Sequence, residues 1–183
     1  MPWGLKRFHQ FGQTHVVTFS CYHRRSSFIA ASAKRIFENA LERVRRSFGL
    51  CIYGYVVMPD HVHLLMSEPQ RGTLAEALKS LKQGVSRRLI GDAEHFWQKR
   101  YYDFNIRSDE QFVEKLGYIH RNPVRHGLCD RPEDWEWSSF MQYATGCEGR
   151  VEIECEWMAR KRERAAGKLS PARELPRSSQ NRA

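Results

Sequence analysis

Long apolar runs are missing from this 183-residue chain, as are Cys-x-x-Cys pairs, internal repeats and any hydrophobic leader. A membrane-spanning helix needs about twenty consecutive apolar residues and a secretory signal needs an apolar h-region. The expectation is therefore a cytoplasmic protein with no membrane partner. Five cysteines (Cys21, Cys51, Cys129, Cys147 and Cys155) are an odd number without ribbon-like spacing. This argues against a zinc ribbon and against a disulfide scaffold. Acidic residues are scarce except in one stretch. Net charge is +7 over residues 1–50, +2 over 51–100, −6 over 101–157 and +6 over 158–183, for a total of +9. A surface for a polyanion should draw on the first hundred residues and the tail, with the acidic third turned away.

What is present fits one core. With 41% hydrophobic residues, a chain of this length buries a single sizeable core, and residues 1–157 read as one domain. Residues 158–183, rich in Arg, Ser, Pro and Ala, read as a disordered basic tail. Apolar spacing predicts strands near 15–22, 53–58, 62–66 and 101–107. It predicts helices over about 31–48 and 74–90, and a third helix after Ser108. The first buries Phe37, Leu41, Val44 and Phe48; the second buries Leu74, Leu78, Leu81, Val85 and Leu89. The order strand, helix, strand, strand, helix, strand is the α+β, ferredoxin-like (split βαβ) plan, an antiparallel sheet with helices on one face.

Chemistry concentrates in two places. The run Pro59-Asp60-His61-Val62-His63-Leu64 lies on a predicted strand, whose period of two aims both imidazoles to one side and Val62 and Leu64 to the other. Two imidazoles on one face are a ready pair of metal ligands, although a histidine pair on a strand is also often only structural. The second place is Leu116-Gly117-Tyr118-Ile119-His120-Arg121-Asn122-Pro123-Val124. Ser108 and Gln111 have capping-box spacing, and Phe112, Val113, Leu116 and Ile119 make one apolar helical face. Tyr118 and Asn122, four apart, are neighbours on another face. Pro123 disfavours helical geometry at Asn122, so the helix should end there with the amide facing solvent.

The first motif resembles the His-hydrophobic-His (HUH) motif of single-strand DNA tyrosine transposases. The second, with Arg125-His126-Gly127-Leu128 and the later Trp135-Glu136-Trp137-Ser138-Ser139-Phe140, resembles the signature of their REP-associated branch. The resemblance covers about residues 8 to 145. It implies an HUH endonuclease-type fold and a metal-dependent endonuclease and strand transferase. The expected substrate is single-stranded DNA bearing a palindromic (REP-like) hairpin. Tyr118 would be the catalytic nucleophile; His61, His63 and the Asn122 side-chain oxygen would hold a divalent metal ion, Mg²⁺ or Mn²⁺. Tyrosine suits the role because a phenol ionises near pH 10, far more readily than an alkyl alcohol, and phenolate leaves well. Attack would leave a 5′-phosphotyrosine link and a free 3′-OH, conserving the bond for later joining.

The candidate DNA contacts are Arg7, from a basic and aromatic N-terminal arm; Arg24 and Arg25, in a polar turn; Lys79, Lys82 and Arg87, on the polar face of the second helix; and Arg121. Rings between Phe96 and Tyr102 offer stacking surfaces, at least half of them expected to pack in the core instead. A monomer is expected in preference to a homodimer, nucleoid-associated when bound to DNA. Two alternatives are a metal phosphoesterase that activates water, with Tyr118 only packing, and a catalytically silent hairpin-binding protein.

Overall fold

The computed structural model describes residues 13–91, 95–155 and 165–166. The aromatic arm with Arg7 and all but two residues of the basic tail lie outside these. Four strands, β1 (Thr14–Ser20), β2 (Ile52–Val57), β3 (His61–Ser67) and β4 (Tyr102–Ile106), form one antiparallel sheet in the order β2-β3-β1-β4. Helix α1 (Ala31–Phe48) carries the chain from β1 to β2 past β3, and α2 (Leu74–Leu89) carries it from β3 to β4 past β1. This is the split βαβ arrangement expected from the order of elements.

Each helix has a local reason to start or stop. Helix α1 ends at Gly49, left-handed at φ 63°, whose N–H donates to the Arg45 carbonyl. Thr73 and Glu76 close a capping box on α2. Phe37, Leu41 and Val44 of α1 and Leu78, Leu81 and Val85 of α2 meet Val17, Phe19, Val62, Leu64 and Met66 in the larger core. Burying a ring as completely as Phe37 contributes roughly 2–3 kcal/mol.

Helices α1 and α2 share one face, as expected, but α3 (Asp109–Arg125) covers the other. Ile119 with partly buried Phe112 and Leu116 packs there against Val16, Val56 and Leu65. Val113, assigned to that apolar face by its spacing, points out and is 59% exposed. Close approach of α3 to β2 depends on Gly54, where an added Cβ would sit 2.5 Å from Leu116 Cδ1. Gly54→Ala should therefore force Leu116 aside and cost about 1–3 kcal/mol, read as a lower denaturant midpoint at unchanged slope. An unaltered midpoint would show that α3 adjusts freely.

The expected stop at Asn122 is corrected by the structure. Helix α3 runs through Pro123 to Arg125, and Asn122 is 1% exposed rather than facing solvent. Proline removes one N–H from the ladder. The carbonyls around it are nevertheless satisfied by the turn that follows: His126 N–H reaches Asn122, Leu128 N–H reaches Pro123 and Gly127 N–H reaches Val124. Among the described residues no disulfide joins any of the five cysteines. Among the described residues no helix is long and apolar enough to cross a membrane.

Candidate active site

Strand β3 alternates as its sequence predicts. Val62, Leu64 and Met66 enter the α1/α2 core, whereas Leu65 joins the α3 side, the side that His61 and His63 share by their spacing. Both imidazoles are buried, at 4% and 6% exposure, with Nε2 atoms 3.1 Å apart. Their other nitrogens are engaged. His61 Nδ1 lies 2.6 Å from Asp60 Oδ1, and His63 Nδ1 lies 2.7 Å from Thr18 Oγ1. The β1–β3 register sets Thr18 opposite His63. With an N–H on each Nδ1, both Nε2 lone pairs are free to converge, the arrangement that outer partners impose on metal-ligating histidines.

Burial pushes the His63 pKa down to about 3, helped by His61, His126 and Arg24; burial also lowers that of His61, against the pull of Asp60. Both rings are thus neutral near pH 7, the form that binds a cation.

Helix α3 supplies the rest as a stripe with a spacing of four. The Tyr118 ring meets the His63 ring edge-on at 5.4 Å, and the His126 ring lies 5.7 Å from that of His61. Asn122, midway along the stripe, is held between these two contacts by helical geometry. Its Oδ1 is buried without a hydrogen-bond partner. An orphaned carbonyl oxygen inside a protein is costly unless something occupies it. Among the described residues no third His, Cys, Asp or Glu joins the histidine pair. The residues present therefore fit a divalent cation bound by two imidazoles and one amide oxygen. The Arg125 guanidinium lies over the Tyr118 ring, 5.2 Å from its centre. A cavity of about 340 Å³, lined by His63, Tyr118, Thr18, Tyr102, Val16 and Lys115, opens beside the ring.

The other expected DNA contacts divide. The turn after β1 places left-handed Arg24 (φ 56°) with its Nε 3.6 Å from Asp60 Oδ2, at the histidine end of the site, and leaves Arg25 exposed nearby. Arg121 is exposed on α3 and donates back to Gly117. Lys79 and Arg87 are exposed beside Arg43 in a groove of the α1/α2 layer, across the sheet from the histidines. Lys82 is occupied internally, its Nζ donating to the Gln98 carbonyl at 2.9 Å and lying above the Phe19 ring. Burial lowers its pKa, so it is a packing residue rather than a free cation. The expectation that the acidic third faces away fails at α3, which carries Tyr118 onto the site. Several of the signature's other residues pack within the fold. His120 meets Ser139 Oγ at 2.9 Å, Ser139 Oγ accepts from the Tyr55 N–H, and Lys34 lies against Trp135 and Trp137.

Sequence reasoning missed Thr18, Asp60 and the role of His126. Only the stripe of four from Tyr118 could have found His126. Thr18 depends on a strand pairing no local pattern reveals.

Burial lowers the His120 pKa to about 4. The unfolded chain then binds a proton that the folded chain refuses, so stability falls as pH drops below about 6.5. From His120 alone the loss at pH 5 should be about 2 kcal/mol. Denaturant unfolding of chelator-treated protein at pH 7 and 5 checks this, because His120→Gln should flatten the decline; equal slopes would contradict it.

Comparison with known proteins points to one family. The family model described as "Transposase IS200 like" matches residues 10–122. A REP-associated tyrosine transposase of Escherichia coli K12 is 25% identical over 136 residues, 74% of this chain and 81% of that protein. A Haemophilus influenzae protein provisionally named a REP-associated tyrosine transposase is 30% identical over 117 residues, 57% of this chain and 66% of its own length. Among solved structures, a REP-associated tyrosine transposase bound to a REP hairpin superposes with a TM-score of 0.66 at 24% identity, covering 78% of this chain and 86% of that one.

Proposed function

The chain belongs to the IS200-like transposase family, and from that premise we propose that it cleaves and rejoins single-stranded DNA beside a palindromic hairpin, with Tyr118 as nucleophile and a divalent cation at His61, His63 and Asn122. One observation carries this reading: Tyr118 and Asn122 stand one helical turn apart beside a converging, neutral histidine pair. The hairpin is taken from the relative whose solved complex holds one. Nucleophile and ligands all come from one chain, which supports action as a monomer.

In this mechanism the Tyr118 oxygen attacks the scissile phosphorus, its proton passing to solvent. The bond from phosphorus to the 3′-oxygen breaks, and that oxygen takes up a proton to become a free 3′-OH. The strand on the 3′ side of the break remains joined to Tyr118 through its 5′-phosphate. When bound, a divalent cation offsets the extra negative charge on the phosphate oxygens. Asp60 and Thr18 hold the imidazoles in orientation. Arg125 fixes the Tyr118 ring, and Arg24 brings positive charge to the opposite edge. Reversal by a new 3′-OH joins strands without an external energy source.

The test is a labelled hairpin with single-stranded flanks, incubated with Mg²⁺ or Mn²⁺ and run on a denaturing gel. Cleavage with a protein-linked product supports the reading; cleavage without it points to water as nucleophile, and binding alone to a silent relative.

A further inference from the structure

The β1–β4 ladder is interrupted beside the active site. Thr18 pairs with Tyr102, and the next link is the Cys21–Trp97 bridge, reinforced by the Gln98 N–H on the Ser20 carbonyl. Two residues of the first segment, Phe19 and Ser20, thus face four of the second, 98–101. Such a surplus cannot stay in the ladder and must bulge out, which is how sheets re-aim side chains beside functional sites. Phe96 and Trp97, before the bulge, are buried; Lys99 and Arg100 are exposed, with Tyr101 and Tyr102 at 38% and 59% exposure. The bulge opens a cavity of about 620 Å³ that Thr18 and Tyr102 also line. The same two residues line the cavity of His63 and Tyr118, so the two hollows adjoin.

Charge and chemistry fit one occupant. Among the described residues lining the two cavities none is Asp or Glu, while Lys99, Arg100 and Lys115 are basic. Two adjacent exposed tyrosines offer ring faces with no core to enter, and such rings bind bases only where these are unstacked.

We propose that the β1–β4 bulge groove seats the unpaired DNA next to the scissile phosphate, with Tyr101 and Tyr102 stacking on bases and Lys99 and Arg100 meeting phosphates. This rests on the single-strand DNA reading above and names the surface that carries the strand to Tyr118. A paired stem has no open base faces to offer these rings, so the groove should discriminate flank from stem.

The experiment measures fluorescence anisotropy of a labelled hairpin with and without single-stranded flanks of about six nucleotides. It uses the full chain with chelator present so that nothing is cut. Wild type should prefer the flanked hairpin. Tyr101→Ala/Tyr102→Ala should weaken flanked binding by about tenfold or more and leave bare-hairpin binding within about twofold, which also reports that the variant is folded. Tyr101→Phe/Tyr102→Phe should restore flanked binding, since it returns the rings. Lys99→Ala/Arg100→Ala should flatten the salt dependence on the flanked substrate by about 1 to 1.5 in log–log slope. Equal losses on both substrates, an unchanged flanked affinity, or no wild-type preference for flanks would each overturn the proposal. If flank binding depends on the tyrosines but no Tyr118 adduct ever forms, the groove stands and the cleavage reading falls.

Discussion

Replacing Tyr118 by Phe is expected to abolish cleavage and adduct formation while hairpin binding stays within about threefold of wild type. The substitution removes one oxygen and nothing else. The ring that meets His63 edge-on and lies under Arg125 remains, so neither α3 docking nor the cavity should change. Phenylalanine offers no nucleophile; Thr18, in the same cavity, is an alkyl alcohol engaged with His63, and Tyr102, the other phenol lining it, is the group to which residual cleavage would point. Residual cleavage above about a tenth of wild type would assign the reaction to another group.

Removing a ligand should be nearly as severe. His63→Ala is expected to lower cleavage by about a hundredfold or more and to weaken Mn²⁺ binding in parallel, measured by titration calorimetry without DNA. Asn122→Ala should weaken both, with partial recovery of cleavage at high Mn²⁺, because the imidazoles remain. Asn122→Leu separates ligation from packing: it fills the space, ends the orphaned buried oxygen and should not destabilise the fold, yet should still lose metal affinity. Full activity of Asn122→Leu would remove the amide from the site, and cleavage that survives chelation would remove the metal.

The sequence was most readable where the physics is local. Helix α1 matches its predicted span of 31–48 because Phe37, Leu41 and Val44 repeat at helical spacing and Gly49 marks its end. The shared face of His61 and His63 follows from strand geometry alone. The Tyr118–Asn122 spacing likewise survived, but the surroundings of Asn122 did not. Whether that amide faces solvent or interior depends on α3 lying against β2 and β3, which rests on the space left at Gly54 and on distant apolar partners. Lys82 shows the same limit: its position on a polar helical face is correct, but the Gln98 carbonyl that occupies it arrives from the segment before β4. Charge counted along the chain misplaced the acidic third because the element that carries Tyr118 is also acidic in its first turn, with Asp109 and Glu110. Net charge by segment cannot resolve two ends of one helix.

The most direct measurement is mass spectrometry of the covalent product. Wild-type protein incubated with Mn²⁺ and a hairpin carrying single-stranded flanks would be denatured, digested with trypsin and nuclease, and searched for a nucleotide-bearing peptide. The account predicts one modified peptide, spanning Leu116 to Arg121, with a 5′-linked nucleotide on Tyr118 and a free 3′-OH on the released strand. Cleaved DNA accompanied by no modified peptide, or by a modification on any other residue, would contradict it.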